Sequence, residues 1–331
     1  MTEKKPETAG AINFEARSIP LPTTISAEAR ANLTMMSAPR PLPSYPPAND
    51  SSAWRKYIDA QAEMMKQMMA SRIKMPSDAT ETIRLGEFNL YAARPAKLAP
   101  DRETRAYLDI HGGALVFGGG EACKLMAATS AERWGVKLFS VDYRMPPDHP
   151  YPAAVDDCLT AYKYLLKNYD AKGIVVGGGS AGGNLAAATV LRARDEGLPL
   201  PAGVVLFTPM TDLTEAGDSF ETLRDLDVVL RRRLYECGAL YAGGADLKTP
   251  YISANFADFS KGFPRTFLQS GTRDLFLSNT VLLHRAMRRA GIEAELHIWE
   301  AMPHGGFGGA SPEDQDMTRE TRAFLEKCWS A

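Results

Sequence analysis

One serine stands inside a run of small residues, Gly177-Gly178-Gly179-Ser180-Ala181-Gly182-Gly183, between the apolar run Gly173 to Val176 and an alanine-rich stretch. A serine hydroxyl is a weak nucleophile near neutral pH. Acyl transfer through it needs a tight strand-to-helix turn that exposes the oxygen, a base to take its proton and donors for the oxyanion. The flanking glycines allow the close backbone approach of such a turn, and the helix N-terminus behind it favours developing negative charge. The same Gly-rich turn could instead cradle a phosphate. Against that, no lysine follows to complete a P-loop, and a dinucleotide fingerprint usually opens the first strand of a sheet, not a middle one.

Five histidines offer themselves as the base. His111 belongs to the turn His111-Gly112-Gly113-Ala114, His149 sits among prolines, and His284 and His297 fall within a helical and a strand pattern. His304, in Met302-Pro303-His304-Gly305-Gly306-Phe307, is left, just past the last strand pattern. Asp274 follows the strand pattern before that one through Gly271-Thr272-Arg273, and would orient and charge-balance the imidazole. Asp142 and Asp212 also lie near strand ends and read as structural hydrogen-bonding residues. The glycines after His111 can turn N–H groups toward one point, so Gly113 and Ala114, with Ala181, are the candidate oxyanion donors. Taken alone, that motif is equally an ordinary β-to-α turn. Leu115, Phe117, Leu275 and Phe276 adjoin these residues and are the candidate substrate-pocket side chains.

These residues need a sheet edge to stand on. From residue 82 onward, short apolar runs alternate with helical stretches, which predicts a mostly parallel sheet covered on both faces. The strand patterns are Thr82 to Ala93, Arg105 to Ile110, Lys137 to Tyr143, Gly173 to Gly177, Gly203 to Thr208, Arg265 to Ser270 and Glu293 to Trp299. The helical ones are Ala122 to Trp134, Ala153 to Asn168, Ala181 to Asp195, Asn279 to Ala290 and Pro312 to Trp329. The interval 211–249, with helical text at Val228 to Tyr241, breaks the alternation and predicts an insertion above the sheet. Residues 1 to 50 are rich in Pro, Ala, Ser and Thr, which disfavours regular structure; Trp54 to Met75 then carries an apolar stripe at helical spacing. Within that stripe Met64, Met65, Met68 and Met69 fit core packing of a cap, or an adaptable substrate lining.

Thirty-eight basic against forty acidic residues give a net charge of −2, with no footprint for nucleic acid or anionic lipid. No apolar run approaches a membrane span and the amino terminus has no signal-peptide core, which predicts a soluble, cytoplasmic protein without stable membrane insertion. Cys123, Cys158, Cys237 and Cys328 are widely spaced, without zinc-site spacing, and read as buried thiols.

The motifs together resemble the bacterial hormone-sensitive-lipase-like family of esterases. The carriers are His111-Gly112-Gly113, Asp142-Tyr143-Arg144 running into Asp148-His149-Pro150-Tyr151-Pro152-Ala153-Ala154, Gly179-Ser180-Ala181-Gly182-Gly183-Asn184, Asp274, and His304-Gly305. The order Ser, Asp, His is that of α/β-hydrolases. The resemblance implies an α/β-hydrolase fold with about eight mostly parallel strands, helices on both faces and a helical cap. It places an N-terminal cap segment at 1–80 and a catalytic domain at 81–331, with the cap insertion at 211–249. It further implies a small-molecule ester substrate of short to medium acyl chain, no metal or cofactor, and a homodimer as a common state. Residue by residue it assigns Ser180 as nucleophile, Asp274 as acid, His304 as base, and Gly113, Ala114 and Ala181 as oxyanion donors. Two positions depart from the pattern: Ala114 replaces a fourth glycine, and Gly179 stands where many relatives carry Asp. A lactone or acetyl-ester hydrolase would use the same triad, and a small-ligand receptor would keep the pocket without the base.

Overall fold

The computed structural model describes residues 18–39, 41–42, 44–72 and 80–330. An eight-stranded sheet runs through it in the order β1-β2-β4-β3-β5-β6-β7-β8. The strands are β1 (Thr80–Leu85), β2 (Phe88–Ala93), β3 (Ala106–Ile110), β4 (Lys137–Asp142), β5 (Ile174–Gly179), β6 (Gly203–Phe207), β7 (Thr266–Gly271) and β8 (Ala294–Trp299). The first two pairings, β1 with β2 and β2 with β4, are antiparallel. From β4 to β8 every pairing is parallel, so these strands end on one edge. The sheet is open, as an α/β-hydrolase sheet is.

Strand side chains alternate between two buried layers because successive residues point to opposite faces. Tyr107, Val175, Val205 and Phe267 face α3 (Glu121–Trp134) and α9 (Pro312–Trp329). Leu108, Val176, Val204 and Leu268 face the layer of α4 (Ala153–Leu166), α5 (Ala181–Asp195) and α8 (Leu277–Arg289). Helix α9 starts where Ser311-Pro312 predicts, with a complete capping box between Ser311 and Asp314. All four cysteines are buried and unbridged.

Three expectations need correction. The run Thr82 to Ala93 is a hairpin, because Gly86 takes a positive φ of 64° and lets Leu85 pair with Phe88 across a two-residue turn. Residues 1 to 50 are not wholly irregular: α1 (Ala27–Met36) forms with Ser26 as its cap, the Ser26 side chain accepting from Ala29 N–H. Its partner lies 287 residues away, where Glu313 accepts hydrogen bonds from both the N–H and hydroxyl of Ser26. In the insertion, helix is confined to α6 (Ser219–Thr222) and α7 (Tyr235–Ala242), because the Asp227 carboxylate takes the N–H groups of Val229 and Leu230 out of a helical ladder.

Helix α2 (Ser51–Arg72) covers most of the predicted Trp54 to Met75 stripe; residues 73–75 lie outside the described residues. Trp54 is fully buried, and Met64 is exposed. The side chains of Met65, Met68 and Met69 lie outside the described residues. A column of rings, Tyr45, Trp54, Tyr57 and Phe117, runs from the N-terminal arm down to the loop after β3, with neighbouring centroids about 6 Å apart.

Candidate active site

Ser180 sits between β5 and α5 with φ 56° and ψ −123°, a conformation a non-glycine residue adopts only where its surroundings enforce it. Those surroundings are tight. Its N–H donates to Phe207 O at 2.8 Å and its carbonyl accepts from Met210 N at 3.0 Å. A Cβ on Gly182 would stand 1.9 Å from Ile110 O, so only glycine lets α5 start this close to β3.

Asp274 is fully buried one turn beyond β7. Its Oδ2 accepts the Ser270 hydroxyl at 2.6 Å, and its Oδ1 accepts Phe276 N–H at 3.0 Å. The same Oδ1 lies 3.0 Å from His304 Nδ1, which leaves Nε2 as the free nitrogen of the imidazole. The Phe276 ring meets His304 edge-on at 4.9 Å. Burial pushes the His304 pKa down, but the hydrogen bond and charge of Asp274, with the charge of Asp227, outweigh it and leave the imidazole above its ordinary value.

The turn after β3 lies directly over Ser180: a Cβ on Gly112 would come within 3.3 Å of Ser180 Cβ. Gly113 has φ 126°, and its carbonyl accepts from both Val116 and Phe117 N–H, closing the loop on itself. Ala114 and Leu115 follow at φ 54° and 68°. The alanine that replaces the usual glycine thus holds a left-handed conformation, at some strain. Among the described residues, the N–H groups of Gly113, Ala114 and Ala181 make no hydrogen bond, which is the condition for an oxyanion to claim them.

The loop is braced from β4. Asp142 accepts Gly120 N–H at 2.8 Å and the Tyr91 hydroxyl at 3.0 Å. Tyr143 donates its hydroxyl to His111 O at 3.0 Å and stacks on the His111 ring at 4.1 Å. Arg144 grips Asp157 of α4 through its side chain and its N–H. Burial lowers the His111 pKa, consistent with a neutral ring whose Nδ1 lies 2.8 Å from Gly112 O. His111, Cys123 and Asp142 are the one cluster of ligating side chains among the described residues, their atoms within 4.8 Å of one another. Cys123 already pairs with Ser140 and Asp142 with Gly120 and Tyr91, so the cluster serves as the brace.

The remaining predicted residues divide. Leu115, Leu275 and Phe276 are fully buried in the main core, whereas Phe117 is half-buried against Tyr57 of α2. His149 is exposed, His284 faces Ala294 O, and His297 stands between Glu295 and Glu320. Asp212 accepts from Thr214 in a local turn. Two contributors lie outside every motif. Helix α1 packs with Met302 and Phe307 on either side of His304, and Asp227 of the insertion accepts main-chain bonds from Leu275 and His304. The signal for Asp227 was there: it is the lone acid in Leu226-Asp227-Val228-Val229-Leu230.

Above the turn, the arm and the insertion enclose a cleft of about 430 Å³ lined by Leu42, Tyr45, Tyr57, Val229, Leu230 and Arg232, among others. The loop after β4 is tied to both α2 and α7. Asp148 pairs with Arg55 of α2 at 2.5 Å, and Tyr151 N–H donates to Tyr241 O of α7 at 2.7 Å.

Residues 107–307 match the profile of a family described by the alpha/beta hydrolase fold. An acetyl-hydrolase of Streptomyces hygroscopicus is 30% identical over 252 residues, 74% of this chain and 82% of that protein. Among solved structures, esterase E25 superposes with a TM-score of 0.85 at 34% identity, covering 96% of this chain and 98% of that one. An esterase from the bacterial hormone-sensitive lipase family superposes with a TM-score of 0.74 at 29% identity, covering 92% and 99%. Among the described residues, no helix is long and apolar enough to cross a membrane.

Proposed function

Since the chain belongs to the bacterial hormone-sensitive-lipase-like family of α/β-hydrolases and is a carboxylic ester hydrolase, we propose that it cleaves short- to medium-chain acyl esters through a Ser180–His304–Asp274 triad. The observation that carries this reading is the 3.0 Å contact between His304 Nδ1 and an Asp274 carboxylate that is itself locked by Ser270 and Phe276. His304 Nε2 takes the Ser180 proton as the oxygen attacks the ester carbonyl. The carbonyl oxygen becomes an oxyanion held by the N–H groups of Gly113, Ala114 and Ala181. Collapse of this intermediate breaks the C–O bond, and His304 passes its proton to the departing alcohol. Water, deprotonated by the same imidazole, then attacks the acyl-enzyme, releases the acid and restores Ser180.

The chain-length reading rests on the family, because the cleft of about 430 Å³ between arm and insertion is lined by none of the proposed catalytic or pocket residues. The name of the Streptomyces relative adds acetyl esters as the short end of the series. The test is hydrolysis of chromogenic esters from acetate to dodecanoate, with cyclic lactones alongside, by the native protein and Ser180→Ala. Turnover that peaks at short to medium chains and vanishes in the variant, with an acyl adduct on native Ser180 by mass spectrometry, is the expected result. An adduct that persists in Ser180→Ala overturns the nucleophile, and a peak at lactones overturns the substrate class.

A further inference from the structure

One carboxylate beside the triad has no part in the steps above. Asp227 comes from the cap insertion, yet it is fully buried. Each of its described hydrogen bonds is to a main-chain N–H. Oδ1 accepts from Val229 at 2.9 Å and Leu230 at 3.1 Å, and Oδ2 accepts from Leu275 at 2.9 Å. His304 N–H lies 3.4 Å and 3.3 Å from the two oxygens. One side chain therefore joins three segments: the cap at 229–230, the residue after the acid, and the base itself.

We propose that Asp227 is a positioning residue through which the seated cap sets the triad, by fixing the main chain at Leu275 and His304 and by placing a second negative charge beside the imidazole. Four N–H groups converge on it, so an acceptor-only group is required, and the ionised carboxylate is the form that satisfies them all. An asparagine would have to turn an NH₂ toward one pair of donors. Val229 and Leu230, whose N–H groups it holds, also line the cap cleft, so a shift in what fills the cleft reaches His304 through one residue.

The charge acts in the same sense. The charged groups facing His304 are Asp274 and Asp227, and those facing Asp227 are His304 and Asp274. Burial raises the Asp227 carboxyl, the imidazole pulls it down, Asp274 pushes it up, and it ends above its ordinary range. In return Asp227 raises His304. The base works when neutral, so activity falls as pH drops through the His304 pKa, and loss of the Asp227 charge moves that acid limb to lower pH.

The inference rests on the triad reading, and its test separates the two. In the full chain, kcat, KM and the pH dependence of kcat/KM are measured with p-nitrophenyl acetate and butyrate for native protein, Asp227→Asn and Asp227→Glu, alongside the rate of labelling by a fluorophosphonate. Asp227→Asn is expected to lose about tenfold or more in kcat with KM changed less than about threefold, its acid limb moving down. Asp227→Glu keeps the charge, so its limb stays with the native one and part of kcat returns. Native kcat in Asp227→Asn, or equal losses in both variants with the limb unmoved, overturns the proposal. If Asp227→Asn does not fold, Asp227→Ser takes its place. If neither folds, Asp227 serves folding and the proposal falls. If the native protein turns over no ester but still labels, the substrate reading fails, and slower labelling of Asp227→Asn carries the positioning role. If the native protein does not label, the triad reading itself has failed.

Discussion

The carboxyl edge of the sheet and the proposed cap are held in different ways. At the edge, the acid is fixed by neighbours close in sequence: Ser270 reaches Asp274 across four residues and Phe276 reaches it across two. The strands beneath are locked in parallel register from β3 to β8. Among its described residues the cap has no ladder. It is held by contacts between distant segments, such as Ser26 with Glu313, Arg55 with Asp148 and Tyr151 with Tyr241. The difference divides the labour: the edge is preorganised for one reaction, while the cap, apart from the Asp227 link, can change its residues without disturbing that reaction's geometry. It also gives each region its own way of failing.

A change at the edge should destroy chemistry and spare the fold. The largest effect of this kind after removal of the nucleophile is expected from Asp274→Asn. An amide at this position can turn its NH₂ toward His304 Nδ1, which then has to accept, and the tautomer with a free Nε2 acceptor is lost. The expected loss in kcat is about 10⁴-fold, with substrate affinity retained. Steady-state kinetics checks it, with the melting temperature as the control. A variant that keeps kcat within tenfold of native would mean that His304 is oriented by something other than this carboxylate.

Gly113→Ala is the next largest change, and it strikes where the two regions meet. The new methyl would lie 2.1 Å from Phe117 O, at a φ of 126° that L-residues rarely adopt, so the loop must open. Opening it withdraws oxyanion donors and shifts Phe117, the lowest ring of the cap column. A loss of about 10²–10³-fold in kcat is expected from the donors. Unlike the aspartate variant, it should also change the chain-length preference, because the Phe117 ring meets that of Tyr57, which lines the cleft between arm and insertion. A fall in kcat with the chain-length profile untouched would separate turn from cap.

The same division explains what could be read in the sequence. Strands and helices of the edge carry period-two and helical patterns over many residues, and α5 and α9 begin and end where those patterns do. The triad candidates were legible because each follows an apolar strand through a short turn, so chain position alone put them on one edge. The His304–Asp274 contact required the fold but no unusual pairing. Helix α1 was not legible: its ten residues bury only Ala29 and Leu33, and its docking partner is at the far end of the chain. Asp227 was only half legible: it stands out as the lone acid in Leu226-Asp227-Val228-Val229-Leu230, but its partners are main-chain groups of residues whose types reveal nothing about it. Local chemistry is written in residue type and spacing, whereas long-range hydrogen bonds to the backbone leave no mark on the partner.

The cap should fail through stability and pH before it fails through chemistry, and Glu215 is the place to see it. This residue of the insertion is buried at a positive φ of 53°. Its Oε1 accepts Leu234 N–H at 2.6 Å, next to the start of α7, while its Oε2 has no partner among the described residues. Burial raises its pKa to about 7; the bond from Leu234 N–H and the charges of Arg233 and Arg232 pull it down, and Glu236 pushes it up. A carboxyl whose pKa is higher folded than unfolded contributes its stability in full below the unfolded value and loses it as pH rises through the folded one. The folded cap therefore weakens between pH 5 and pH 8, by on the order of 2 to 3 kcal/mol at most. Glu215→Gln keeps an acceptor for Leu234 and has no charge to bury. Its melting temperature is expected to fall less than the native one over this window, so that the two curves converge or cross near neutral pH. The Ser180 labelling rate at fixed pH should hardly change. A native melting temperature that is flat or rising from pH 5 to 8 would take this role from Glu215, and a Ser180 labelling rate that drops in Glu215→Gln while the protein stays folded would erase the distinction between edge and cap.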